Sequence, residues 1–266
     1  MRELTVDEAA RGFELPGDRG AVLCLHGFTG TPYSVLPVAQ ALSEAGFRVR
    51  APRLAGHGET VEALQHTRWA DWLGSARGAF DVLAKDHQKV FVCGLSMGAL
   101  LSLAVAHERG ARVAGVVAMA TPLKLDWLSQ TVLRVVRRMP FSDLLPFRKK
   151  KGGPDVSDPA VAAAMPSYNR VPMPAAASLL DGQEAVLALV GRLSVPVLVQ
   201  HGRQDHVAPV ENAERLYASL RTADRRLITY PQSWHILPLD VEHETVTRDV
   251  VEFVERVTNK AQKEVP

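Results

Sequence analysis

Six short β-rich segments run largely apolar rather than alternating apolar with polar: residues 21–25, 47–54, 90–93, 113–119, 195–199 and 227–230. Strands of that kind are covered on both faces, as in a parallel sheet. Between them lie stretches with helical spacing. Residues 35–45 end at Gly46, 69–84 follow Thr67, 98–109 end at Gly110, 210–220 follow Pro209, and 241–257 form a last helix. Strand and helix patterns that alternate in this way predict βαβ units and one mostly parallel central sheet flanked by helices. From 124 to 191 the rhythm stops. No convincing strand occurs there, and Pro140, Pro146, Pro154, Pro159, Pro166, Pro172 and Pro174 cut the segment into short helices and turns. It reads as a small helical cap inserted in an α/β core made of residues 1–123 and 192–266.

Composition changes this picture only locally. The 266 residues are 47% hydrophobic and carry a formal charge of +2, too little to suggest a nucleic-acid partner. Eight of the residues from 124 to 151 are basic and two acidic, a net +6 that leaves −4 for the rest of the chain. A basic, partly apolar cap suggests weak contact with anionic membrane surfaces. Cys24 and Cys93 sit inside apolar runs and read as buried, reduced thiols. The first twenty residues lack the apolar stretch of a secretory signal, and no apolar run is long enough to span a bilayer. The expectation is a cytoplasmic protein.

The most informative residues are Gly94-Leu95-Ser96-Met97-Gly98, directly after one predicted strand and directly before a helix. A strand-to-helix turn this sharp strains its central residue, and the flanking glycines remove side chains that would clash. Ser96 is thereby raised above the sheet at the positive end of a helix dipole. A serine hydroxyl needs a base to take its proton and a carboxylate to hold that base. Of nine histidines, His235 is best placed, in the loop after the last strand. Asp205 follows the strand 195–199 and completes the order Ser, Asp, His expected of a strand–elbow–helix hydrolase. Asp126 is the alternative acid and Asp240 a third. The backbone N–H groups of Phe28, in His26-Gly27-Phe28-Thr29-Gly30, and of Met97 are the expected oxyanion donors. His26 and His57 read as braces for their loops. No pair of Cys or His stands at metal-ligand spacing, so neither metal nor cofactor is expected.

Taken together, the blocks 26–32, 52–58 and 94–98, with Asp205-His206, Trp234-His235 and Leu239-Asp240, make the chain resemble the α/β-hydrolase fold, in particular bacterial carboxylesterases and bacterial monoacylglycerol lipases. The resemblance covers nearly the whole chain. It implies an acyl-serine mechanism acting on esters of short to medium acyl chains, with Ser96, Asp205 and His235 as triad and the amides of Phe28 and Met97 as oxyanion hole. Two positions depart from the pattern: Ala99 stands where these enzymes often have a second glycine, and Asn169 where a lipase cap glutamate contacts the glycerol head. Leu125, Trp127 and Leu128, with Val132, Val135 and Met139, are the expected apolar lining from the cap, and Asn169 the expected polar contact. A non-catalytic binding protein on the same fold is the alternative from another class. Dehalogenases and epoxide hydrolases would want an aspartate at position 96.

Overall fold

A computed structural model describes residues 4–142, 145, 147–149 and 153–263. The strands are β1 (Phe13–Leu15), β2 (Ala21–Leu25), β3 (Arg48–Ala51), β4 (Val90–Leu95), β5 (Val113–Met119), β6 (Arg148–Lys149), β7 (Arg170–Val171), β8 (Val197–Gly202) and β9 (Arg225–Tyr230). The helices are α1 (Val6–Ala10), α2 (Leu36–Glu44), α3 (Val61–Gln65), α4 (Trp69–Asp86), α5 (Met97–Arg109), α6 (Trp127–Arg138), α7 (Pro159–Ala164), α8 (Met173–Leu189), α9 (Glu211–Ser219) and α10 (His243–Lys263). Seven strands form one sheet in the order β1-β3-β2-β4-β5-β8-β9, parallel except for β1, which runs antiparallel to β3.

Alternate residues of the central strands feed two cores. Val22, Cys24, Cys93, Leu95, Val117 and Met119 pack under α2 and α10, against Val38, Leu42, Val250 and Phe253. Leu23, Leu25, Val92, Val116, Ala118 and Val199 face α4, α5 and α9, against Trp72, Phe80, Leu100 and Leu216. Burial on both faces is why β2, β4, β5 and β8 carry no polar alternation. The edges obey a different rule. In β3 burial alternates, and its arginines pair outward with Glu14 of β1, while β9 is mostly half-exposed. The predicted strand at 47–54 is accordingly shorter, because Pro52 cannot donate to the ladder. Strand β1, too short for its pattern to stand out, has no counterpart in the sequence reading.

The segment between β5 and β8 contains α6, α7, α8 and, contrary to expectation, two short strands, β6 and β7, paired antiparallel. Leu133 and Val136 of α6 pack on Ala176, Ala177 and Leu180 of α8. α8 also belongs to the layer beneath: Ala175, Val186 and Val190 join the core around α4 and α5, and a Cβ on Gly182 would lie 2.5 Å from the Trp69 ring. Lys150, Lys151 and Asp143, counted in the basic segment, lie outside the described residues.

Candidate active site

The carboxyl ends of β2, β4 and β8, with the loop after β9, converge above the sheet. At the end of β4 the chain turns through Ser96, whose φ of 57° and ψ of −118° lie in a region that costs a side-chain-bearing residue about 1–3 kcal/mol. Its neighbours must be glycine. A Cβ on Gly94 would stand 2.1 Å from the carbonyl oxygen of Gly98, and one on Gly98 would stand 2.1 Å from that of Leu25. The strained turn is fastened by the Ser96 amide, which donates to Met119 O at 2.8 Å. Ala99 is fully buried in the core beneath, so that position accommodates a methyl group. Met97 begins α5, so its N–H belongs to the first turn, where amides have no intrahelical acceptor.

Ser96 Oγ donates to His235 Nε2 at 2.9 Å, and His235 Nδ1–H donates to Asp205 Oδ2 at 2.7 Å. His235 is nearly buried, and a close approach delivers it: a Cβ on Gly202, the last residue of β8, would lie 2.3 Å from the carbonyl oxygens of Ser233 and Trp234. Asp205 Oδ1 accepts from Val207 N at 2.8 Å and Ala208 N at 2.7 Å. Burial pushes the Asp205 carboxyl up, but the charge of His235 and hydrogen bonds from His201 and His235 outweigh it and hold it well below the usual range.

The other predicted acids sit elsewhere. Asp126 caps the N-terminus of α6, accepting from Leu128 N and Ser129 N. Asp240 is buried and holds the histidine loop instead, taking Trp234 N at 2.6 Å and Ser157 N at 3.1 Å. Three groups escaped the sequence reading. Fully buried His201 lies on Asp205 Oδ2 at 3.1 Å and on Ala208 O at 2.9 Å through the same Nε2, which must therefore carry its proton. Glu242 accepts from Gln232 N and Ser233 N. Asp155, in the insertion, accepts from His206 and His235. None of these three belongs to a recognisable motif.

Residues 26–30 run over the nucleophile, since a Cβ on Gly27 would touch Ser96 Cβ at 3.2 Å. Two buried histidines brace their loops as expected. His26 Nδ1–H donates to Gly27 O at 2.9 Å and Nε2 accepts from Leu54 N at 3.2 Å, while His57 donates to Ala55 O and meets the rings of His26, Phe28 and Trp72 edge-on. Burial lowers the His26 pKa to about 4, only partly offset by the bond to Gly27, and lowers that of His57 as well. Both rings are neutral when folded, whereas an unfolded histidine titrates near 6.5. Their contribution to stability is complete above about 6.5 and is lost as pH falls towards 4. For His26 alone this gap amounts to roughly 3 kcal/mol. Urea unfolding at pH 7 and pH 4.5 should therefore show a clear fall in midpoint, and equal midpoints would refute it.

A cavity of about 380 Å³ opens beside Ser96 and His235. Leu125, Val132, Leu133, Val171, Met173, Ala176 and Leu179 line it from the insertion, and Phe28 from the loop. Four expected lining residues are not on it. Trp127, which is 79% exposed, Leu128 and Val135 point outward from α6, and exposed Met139 follows its end. The apolar residues of that helix form one arc wider than the face that is covered, so spacing alone does not say which part of it turns inward. Asn169 is exposed and also off the cavity wall.

The family described as serine aminopeptidase, S33, matches residues 16–242, most of the chain and all of this site. The chain belongs to that family. Among relatives of this S33 member, a carboxylesterase of Bacillus subtilis (strain 168) is 30% identical over 92% of this chain and 96% of its own length. A thermostable monoacylglycerol lipase of Bacillus sp. (strain H-257) is 29% identical over 87% and 89%. A solved structure from work on LipS and LipT, two metagenome-derived lipolytic enzymes, superposes with a TM-score of 0.85 at 28% identity, covering 93% of this chain and 98% of that one.

Proposed function

We propose that this protein hydrolyses carboxylic esters through an acyl-serine intermediate. Ser96 attacks the ester carbonyl while His235 takes its proton, Asp205 holds the imidazole in the required tautomer, and the amides of Phe28 and Met97 bind the developing oxyanion. The alcohol leaves with the proton from His235. Water, activated by the same imidazole, then releases the acid. The observation that carries this reading is the unbroken hydrogen-bond chain from Ser96 through His235 to Asp205, beside a largely apolar cavity. Its seat between α6 and α8 suits a short to medium acyl chain. Residues 124–191 supply the cap that selects the substrate, with α8 reaching from it into the core formed by 1–123 and 192–266. Relatives named carboxylesterase and monoacylglycerol lipase support ester chemistry, and the position of Asn169, off the cavity wall, favours the broader esterase reading over glycerol-head recognition. The two free, buried cysteines suit a reducing compartment such as the cytoplasm.

The test is a panel of p-nitrophenyl esters from acetate to palmitate, beside monoacylglycerols and an aminoacyl p-nitroanilide. The expected optimum lies among short and medium esters. Cleavage of the anilide alone would overturn the ester reading.

The outer face of α6 adds a finer proposal. Trp127, Leu128, Val135, Met139 and, just beyond the helix, Phe141 at 82% exposure stand beside exposed Lys124, Arg134 and Arg138. No helix among the described residues is long and apolar enough to cross a membrane, but an apolar stripe flanked by cations suits contact with an anionic lipid surface. Co-sedimentation with vesicles containing phosphatidylserine should exceed that with phosphatidylcholine alone and weaken in high salt. Equal recovery with both would remove this proposal.

A further inference from the structure

The loop 232–236 that carries His235 has every amide held, and the holders come from two places. Gln232 and Ser233 donate to Glu242 and Trp234 to Asp240, all near the start of α10. The last two amides are held by the insertion. His235 N donates to Asp155 Oδ2 at 3.3 Å, and Ile236 N donates to the Asp155 carbonyl oxygen at 3.1 Å. The same carboxylate reaches the other triad loop: Oδ2 also accepts from His206 N at 3.0 Å, and Oδ1 accepts from His206 Nδ1 at 2.9 Å. His206 follows Asp205 directly in the chain.

We propose that Asp155 is a positioning residue, a carboxylate carried by the cap that locks the Asp205 and His235 loops to each other and so makes triad geometry depend on the cap being seated. The inference rests on the triad reading above. Asp155 bridges groups 51 and 80 residues away in sequence. It faces the cavity with little exposure, so the acyl pocket and the lock share one wall. Ser157 adds a second fastening from the same segment, its N–H and Oγ donating to Asp240, which holds Trp234. A base held through its own backbone amide moves when that amide is released, and displacement by about 1 Å costs on the order of a hundredfold in rate.

The experiment compares Asp155→Ala, Asp155→Asn and Asp155→Glu on one p-nitrophenyl ester, with circular dichroism to establish folding and Ser96→Ala as reference. Asp155→Ala should lower kcat by about 10- to 100-fold and leave KM within about threefold. Asp155→Asn keeps an oxygen that both amides can reach and should restore most of kcat. Asp155→Glu keeps the charge on a longer stem and should lower kcat like alanine; if Asp155→Ala does not fold, Asp155→Glu decides. Wild-type kcat in the deciding variant, a loss carried by KM, or an asparagine variant as impaired as alanine would each overturn the proposal. Turnover surviving in Ser96→Ala would overturn the triad reading itself. Ser96-dependent turnover with normal kcat at Asp155 would overturn this inference alone.

Discussion

Replacing Ser96 by alanine should lower kcat for ester hydrolysis on the order of a million-fold, the scale seen when a triad nucleophile is removed. Asp205 and His235 can activate nothing once the hydroxyl they serve is gone. The residual rate would come from binding and the oxyanion amides. The fold should not suffer. Among the described residues Ser96 Oγ makes one hydrogen bond, to His235, and removing it costs about 1 kcal/mol or less at a cavity wall. Ser96→Gly sharpens the test, because φ of 57° with ψ of −118° is strained for serine and alanine alike but open to glycine. The glycine variant should be as inactive as alanine and unfold at a higher temperature by an amount corresponding to about 1 kcal/mol. Kinetics on a p-nitrophenyl ester with thermal unfolding of both variants checks both halves. Substantial turnover in either would remove Ser96 from the mechanism.

That strain also explains how much of the site could be read from sequence. The pair Gly94 and Gly98 records two places where the backbone packs so closely that a Cβ would stand 2.1 Å from a carbonyl oxygen, and such places admit no other residue. The continuous apolar runs of β2, β4, β5 and β8 likewise record a sheet covered on both sides. Where one face is open the record weakens, which is why β1 has no counterpart in the sequence reading and the strand predicted at 47–54 is too long. The same applies to α6. Its apolar residues form an arc wider than the covered face, and only packing against α8 shows that Leu133 and Val136 turn inward while Trp127 and Leu128 turn out.

Groups that act on the triad from a distance left no pattern at all. Asp155, His201 and Glu242 are single polar residues in loops or at element ends, and their partners lie next to them only after folding. Asp240, the third candidate acid by sequence, instead accepts backbone amides of the histidine loop and of Ser157. Proximity in sequence exposes the candidates for an acid, whereas the choice among them depends on which oxygen already has partners.

That choice is most sharply tested at Asp205. Asp205→Asn should lower kcat by about 10⁴-fold, through the histidine tautomer rather than through lost position. Oδ1 is fixed as an acceptor by the amides of Val207 and Ala208, so the asparagine oxygen must occupy that place. Its NH₂ group then stands where Oδ2 was, facing His235 Nδ1 and His201 Nε2. His235 can accept that donor only by moving its proton to Nε2, where it points at Ser96 Oγ and can no longer receive the serine proton. His201 cannot relieve the conflict, since its Nε2 proton is also held by Ala208 O. Stability should fall too: the carboxylate whose pKa is held down in the fold stabilises the protein above about pH 4, the unfolded value, and that contribution vanishes as pH falls through the folded one. The variant should therefore lose the acid-dependent part of wild-type stability along with its rate. Steady-state kinetics and urea unfolding across pH measure the two effects separately, and Asp126→Asn provides the contrast. A larger rate loss at Asp126, which caps α6 through its own carboxylate, would transfer the acid role to it.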